Sequence, residues 1–524
     1  MSFVRSMARC ATLGLAAVAA CEYDARVAPA PAAARGPEFA ARATNRGGAG
    51  ANGRHIVTFR GQIPVDFDAQ VEAMGGKVLW ASPGSRLAAV RGLSAAAAAA
   101  LAGNQSIAAV DADVLVSLEM PKLSAVDAGD VAGVQSADNP AGAVRYARQW
   151  NMRAVHADAA WAHGFLGSQS VLIFMLDSGI DPHHADTEGR VDATRSVDLL
   201  GTFDTQLEDG STVSFTEADT IRKYFPLGTE LYTDLLFHGT HTAATVTSNA
   251  VRAAGITSKT TLVAVKVCGY INECPFSSIL GGVIYGADHG ADVMNLSLGG
   301  SFPRNGNTRL IKLINRVFDY AQSQGVTIVV SAGNEATDLD HNGNTYASFC
   351  DTPAVICVSA TGPTTDANAT NPNPSLARGG PWTDVDAPAY YTNFGRRAID
   401  VAAPGGNSSF SPPLPALAAP AGRDVFVWAA CSQTSLFIRC FSSPLFIVGA
   451  QGTSMAAPHV TGTAALLVSI IGRHPAQIKA RIEQSADKID GRRLAAFYGN
   501  GRLNVARAVG AIPQRQREGQ RSAR

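Results

Sequence analysis

The sequence predicts an α/β protein built on a doubly wound parallel sheet and preceded by a small α+β domain. Three observations predict it. From residue 150 onward, apolar runs that read as buried strands alternate with helical stretches. Residues 54–118 instead run strand, helix, strand, strand, helix, strand. An uncharged run over 455–472 contains Pro458, His459 and several hydroxyl side chains, so it is a core helix rather than a membrane span.

In the small domain, strands are expected at 55–59, 77–80, 87–90 and 107–118, with helices at 65–74 and 95–102. That β-α-β-β-α-β order is the ferredoxin-like pattern. In the larger domain, 147–512, the run 171–176 is a buried strand carrying Asp177 at its carboxyl end, where open α/β sheets hold their working groups. Strand–helix pairs follow at 261–268 with 277–289 and at 292–298 with 307–324, then a strand at 326–332. Within 405–450, the runs 425–428 and 445–448 are expected to form a hairpin.

At 524 residues the chain exceeds one core. Lys+Arg and Asp+Glu both number 43, which gives no footprint for nucleic acid or for an anionic surface. Arg5 and Arg9 precede an apolar run, 10–21, too short to cross a bilayer, and this reads as an export signal. Val18-Ala-Ala-Cys21 resembles a lipobox, which would make Cys21 a lipid-bearing residue and the lipid the only membrane contact. Ordinary cleavage at a small residue, with Cys21 incidental, is the other reading. Residues 22–53 form a flexible linker and 513–524 a solvated basic tail. Six further cysteines fall in three close pairs, Cys268 with Cys274, Cys350 with Cys357 and Cys431 with Cys440. Their connectivity is not readable, but near-neighbour loops in an oxidising compartment are the simplest choice.

Four segments carry the chemistry: Asp177-Ser-Gly-Ile180, His238-Gly-Thr-His241, Ser331-Ala-Gly-Asn334 and Gly452-Thr-Ser454. Singly, these residues read as a cap, a core histidine, a turn residue and a helix cap. Together they supply an orienting carboxylate, a base, an oxyanion donor and a nucleophile. Metal binding is the rival chemistry, since His238 and His241 are three apart and His183-His184 lies near Asp177. No His-Glu-x-x-His helix accompanies them, so no metal is assigned.

Over about residues 147–510, the blocks Asp-Ser-Gly-Ile, His-Gly-Thr-His, Ser-Ala-Gly-Asn and Gly-Thr-Ser-Met-Ala-Ala-Pro-His-Val resemble the subtilisin-like serine peptidases, or subtilases. The resemblance implies an Asp177–His238–Ser454 triad and an oxyanion hole made by Asn334 with the Ser454 backbone N–H. It implies that Ser297, Leu298, Gly299 and Gly300 form a substrate-binding strand. Residues 54–118 resemble the inhibitory propeptide of that family, with 119–146 an exposed linker for self-cleavage. The implied protein is an exported serine endopeptidase acting on proteins or peptides and made as a self-inhibited precursor. An inactive binding protein on the same scaffold is the alternative. Catalysis needs no cofactor; structural calcium is common in the family, and Asp186 stands where one ligand would. Thr242-Ala-Ala244 replaces the usual Val-Ala-Gly, and insertions are expected within 190–235, 362–388 and 405–450.

Overall fold

The computed structural model describes residues 53–118, 121–127, 136–206, 211–366, 382–408, 425–438, 440, 443–489 and 495–513. The export segment, Cys21, the linker up to 52 and the tail from 514 lie outside them.

The small domain forms as expected. Its elements are β1 (Arg54–Phe59), α1 (Phe67–Ala73), β2 (Lys77–Ser82), β3 (Leu87–Arg91), α2 (Ala95–Ala102) and β4 (Ile107–Ala112). They make an antiparallel sheet in the order β2-β3-β1-β4. Phe67 and Val71 of α1 and Leu101 of α2 pack on Val57, Phe59 and Val90 of the sheet. Ser94 caps α2 by accepting the Ala97 N–H at 3.1 Å.

The last strand departs from expectation. It ends at Ala112, and β5 (Leu115–Ser117) leaves the sheet altogether. Between the two, buried Asp113 accepts hydrogen bonds from the Ser277 N–H at 2.8 Å and the Ser277 hydroxyl at 2.5 Å. That long-range anchor turns the chain outward. The segment 119–146, expected to be exposed linker, contributes a strand, β6 (Lys122–Asp127). Residues 54–118 and the larger domain belong to one compact unit.

The larger domain begins with α3 (Trp150–Ala154), α4 (Ala157–Ala162), β7 (Leu172–Asp177) and β8 (Val197–Asp198). The first insertion then forms a hairpin of β9 (Thr202–Gln206) and β10 (Thr212–Thr216), followed by α5 (Glu217–Tyr224). Next come α6 (His238–Val246), β11 (Thr261–Lys266), β12 (Glu273–Pro275), α7 (Phe276–Asp288), β13 (Val293–Leu296), β14 (Gly300–Pro303) and α8 (Thr308–Ser323). After β15 (Thr327–Ser331), β16 (Thr345–Ser348) and β17 (Val355–Thr361) come the short β18 (Thr365–Asp366) and β19 (Trp382–Thr383), then β20 (Val401–Pro404). The chain closes through β21 (Val427–Ala430), β22 (Ile447–Gln451), α9 (Thr453–Ile471), α10 (Pro475–Ser485), α11 (Ala495–Tyr498) and α12 (Val505–Val509).

Seven strands form the central sheet, in the order β20-β17-β15-β13-β7-β11-β8, and every pairing is parallel. Both faces are covered, which is why its strands read as unbroken apolar runs. In β7, Phe174 and Leu176 face α7 and α8, whereas Ile173 and Met175 face α9. The strand order reverses between β7 and β13, placing Asp177 and Ser297 together beyond the carboxyl ends of adjacent strands.

The expected hairpin is present, with Val427–Ala430 paired to 447–450. Its β22 then pairs on the other side with β6. Disulfides join the three near-neighbour pairs, Cys268–Cys274, Cys350–Cys357 and Cys431–Cys440.

Candidate active site

Asp177, the last residue of β7, is fully buried and accepts the Ser178 N–H at 2.7 Å. The Thr242 hydroxyl lies 3.1 Å from its Oδ2 and 3.0 Å from Gly239 O. His238 opens α6 and donates from Nδ1 to Asp177 Oδ1 at 2.7 Å. A carboxylate can only accept, so this bond fixes the tautomer and leaves Nε2 as the basic nitrogen. That Nε2 is buried and has no hydrogen-bond partner among the described residues.

The two segments meet through their glycines. A Cβ on Gly239 would lie 2.0 Å from Gly179 O, and Gly179 itself sits at φ +109°. The backbones of the aspartate and histidine turns are therefore in direct contact. Asp234 holds the second turn in shape. It accepts the N–H groups of Leu236, Phe237 and Thr240 at 2.8–3.0 Å, and the Ser178 and Thr240 hydroxyls at 2.9 and 2.7 Å. Burial pushes its carboxyl above the usual range, against the pull of these donors. Phe237 is held at φ 124°, with its ring stacked on Phe437 at 6.1 Å. Sequence reasoning missed Asp234 and the contact of Thr242. A carboxylate shortly before a helix start was the readable signal for the first.

Ser454 is the second residue of α9. Its hydroxyl donates to Ser297 O at 3.1 Å, and the Ser297 hydroxyl donates to Ser454 O at 2.8 Å. No hydrogen bond joins Ser454 Oγ to His238 among the described residues. Asn334 lies just beyond β15, and its Oδ1 accepts the Thr453 N–H at 2.8 Å and the Thr453 hydroxyl at 3.0 Å. These bonds orient the amide and put Nδ2 on the opposite side. Ser297, Leu298, Gly299 and Gly300 line one groove with Asn334 and Ser454. Ser454 lies in the first turn of α9, whose N-terminus favours negative charge there.

The remaining candidates serve other ends. His241 is buried and donates from Nε2 to Val427 O at 3.1 Å; burial pushes it down to about 3, so it packs as a neutral ring. His183 is exposed beside Glu230, and His184 bonds to Phe446 O. Among the described residues, no three His, Cys, Asp or Glu side chains group as metal ligands. Asp186 does not fit calcium: its Oδ1 accepts the Val251 and Arg252 N–H groups at 2.8 Å, and its Oδ2 accepts that of Ala253 at 3.1 Å. Neighbouring Asn249 spends its Oδ1 on Arg190 and its amide N–H groups on Ala185 O and Glu188 O. A calcium site needs six to eight oxygen donors, whereas this carboxylate is ringed by N–H groups. The Ala244 methyl, which departs from the family pattern, packs on Ala429 and Ala430 of β21.

The model of the subtilase family matches residues 168–501. Thermitase of Thermoactinomyces vulgaris is 28% identical over 69% of this chain and 96% of its own length. Subtilisin E of Bacillus subtilis (strain 168) is 27% identical over 68% of this chain and 69% of its own. Among solved structures, an epidermin leader peptide processing serine protease from Staphylococcus aureus superposes with a TM-score of 0.62 at 18% identity, covering 89% of this chain and all of that one.

Proposed function

The chain belongs to the subtilase family and is a subtilisin-like serine endopeptidase, and we propose that Ser454 is its nucleophile, acting in an exported precursor inhibited by residues 54–118. The observation that carries the assignment is the buried Asp177–His238 pair, which leaves Nε2 as the only basic nitrogen of the ring and unpartnered among the described residues.

In this mechanism, rotation about χ1 releases Ser454 Oγ from Ser297 O and presents it to His238 Nε2. The imidazole takes the hydroxyl proton as Oγ attacks a peptide carbonyl carbon. Asp177 stabilises the imidazolium, and Asn334 Nδ2 with the Ser454 N–H binds the tetrahedral oxyanion. His238 then gives the proton to the departing amine, and water hydrolyses the acyl-enzyme by the same route. Proteins or peptides are the substrates.

Self-inhibition is supported by β5, which lies antiparallel on β12, and by Leu118, whose N–H donates to Asn272 O at 2.8 Å beside the groove. Export is supported by three disulfides and by the N-terminal segment, with Cys21 as its lipid-bearing residue. The mature enzyme should react with a fluorophosphonate probe, whereas Ser454→Ala should not react and should keep residues 54–118 attached. A folded, mature wild type that takes no label would refute the nucleophile, and normal processing of isolated Ser454→Ala would refute self-cleavage. Partition of the Cys21→Ser precursor into detergent as fully as wild type would refute the lipid anchor.

A further inference from the structure

We propose that the edge of β22 opposite β21 is a binding site for the leaving-group side of the substrate, that it takes an extended polypeptide strand of about six residues, and that β6 occupies it in the precursor. The inference rests on Ser454 being the nucleophile.

The chain lies along both flanks of that serine. On one flank, β5 pairs with β12, Ser117 opposite Glu273 and Val116 opposite Cys274. Val116 is packed so closely on Gly300 that a Cβ there would come within 3.1 Å of its Cγ1. Leu118 is buried in the same cluster as Leu298. On the other flank, β6 runs antiparallel to β22, from Lys122 opposite Gln451 to Asp127 opposite Ile447. That strand leads through Gly452 and Thr453 directly into Ser454.

Only residues 119–121 separate Leu118 from Lys122, a reach of about 14 Å even when fully extended. The two ladders therefore flank the nucleophile closely, and the self-cleaved bond falls between Leu118 and Lys122. Before proline is a poor place for attack, which disfavours the bond joining Met120 to Pro121.

A ladder of this kind is built from main-chain hydrogen bonds, so it selects extended conformation more than sequence. Six residues of strand after the cut, four of them in register with β22 on either side of a bulge, are more than a short peptide offers. The favoured substrate is thus a long unstructured segment of a protein, spanning roughly Leu115 to Asp127 when laid on this chain. Occupancy by β6 also means that self-cleavage alone leaves the leaving-group side covered.

Two internally quenched peptides with the sequences of residues 115–121 and 115–127 test this. The processed enzyme carries Ala125→Pro so that its own β6 does not compete, with wild type run in parallel and fluorophosphonate labelling of Ser454 scored first. The longer peptide should be cut with at least tenfold higher kcat/KM, and N-methylation at its Lys122 and Leu123 positions, both in register with β22, should abolish the gain. Equal kcat/KM, a gain that survives N-methylation, or no cleavage of either peptide by enzyme of which a separate aliquot takes the fluorophosphonate label would overturn the site while leaving Ser454 as nucleophile. Should Ala125→Pro fail to fold, Ser124→Pro takes its place with the same outcomes, since wild type keeps its own β6 on the site. An unlabelled enzyme would remove the catalytic assignment and this inference with it.

Discussion

Gly239 shows how little room the Asp177–His238 pair has. With 2.0 Å between its absent Cβ and Gly179 O, alanine must push the histidine turn away from the aspartate turn. A displacement of about 1 Å in a catalytic group can cost 10²-fold. Gly239→Ala should therefore lower kcat/KM by about that factor, with KM nearly unchanged and slower fluorophosphonate labelling. Wild-type labelling kinetics in the variant would show that the contact is not limiting. Thr242→Val is gentler, since it keeps the volume and removes only the hydroxyl beside Asp177. Hydrogen bonds to charged groups are worth about 1.5–3 kcal/mol, so kcat should fall about tenfold or more, whereas Thr242→Ser should retain most activity. An unchanged kcat for valine would mean that the hydroxyl serves only Gly239 O. Asn334 is the proposed oxyanion donor, so Asn334→Ala should cost about 10²–10³ in turnover, the loss that removing one such donor brings.

At the level of elements, legibility followed how local the cause was. The strand carrying Asp177 and the helix carrying Ser454 are apolar runs decided by burial, and sequence pattern suffices for those. The break after Ala112 is different: it depends on Asp113 meeting Ser277 across the chain, and no window around residue 113 contains that partner. β6 was equally hidden, because Lys122-Leu-Ser-Ala-Val-Asp127 is too polar to announce a strand without the β22 edge it joins. Asp177, His238, Asn334 and Ser454 stood out because small residues surround them. Asp234 did not, since its work is capping and caps are common.

The loop around Asp186 carries its own prediction. Because its oxygens already serve three N–H groups, any effect of chelators or added calcium on the melting temperature should be the same in wild type and Asp186→Ala. Asp186→Ala strands three buried N–H groups and should cost about 3 kcal/mol or more. A chelator-sensitive wild type, with sensitivity lost in Asp186→Ala, would restore calcium to this loop.

For the whole molecule, buried titratable groups set the response to acid, and they pull in two directions. Burial pushes Asp234, Glu217 and Asp198 up, so the fold holds their protons better than the open chain and acid favours it. Histidines act in the opposite sense. His459 is buried in α9, donates from Nδ1 to Met455 O at 2.9 Å and accepts from Asn151 Nδ2 at 2.9 Å, and burial pushes it down to about 4. An unfolded histidine titrates near 6.5. Its contribution is therefore fully present above about pH 6.5 and is lost as the pH falls toward 4, where the open chain gains a proton that the fold refuses. Because the open chain is already half protonated at pH 6.5 and the fold begins to protonate near pH 4.5, the loss between those two values is about 2 kcal/mol rather than two full units' worth. The opposing carboxyls mask it in any single curve, so the informative quantity is a difference. In a Ser454→Ala background, which prevents self-digestion, urea unfolding should show the parent losing about 2 kcal/mol more over that interval than a His459→Gln partner. Parallel curves would mean that His459 is already charged in the fold, and the neutral core assigned to α9 would be wrong.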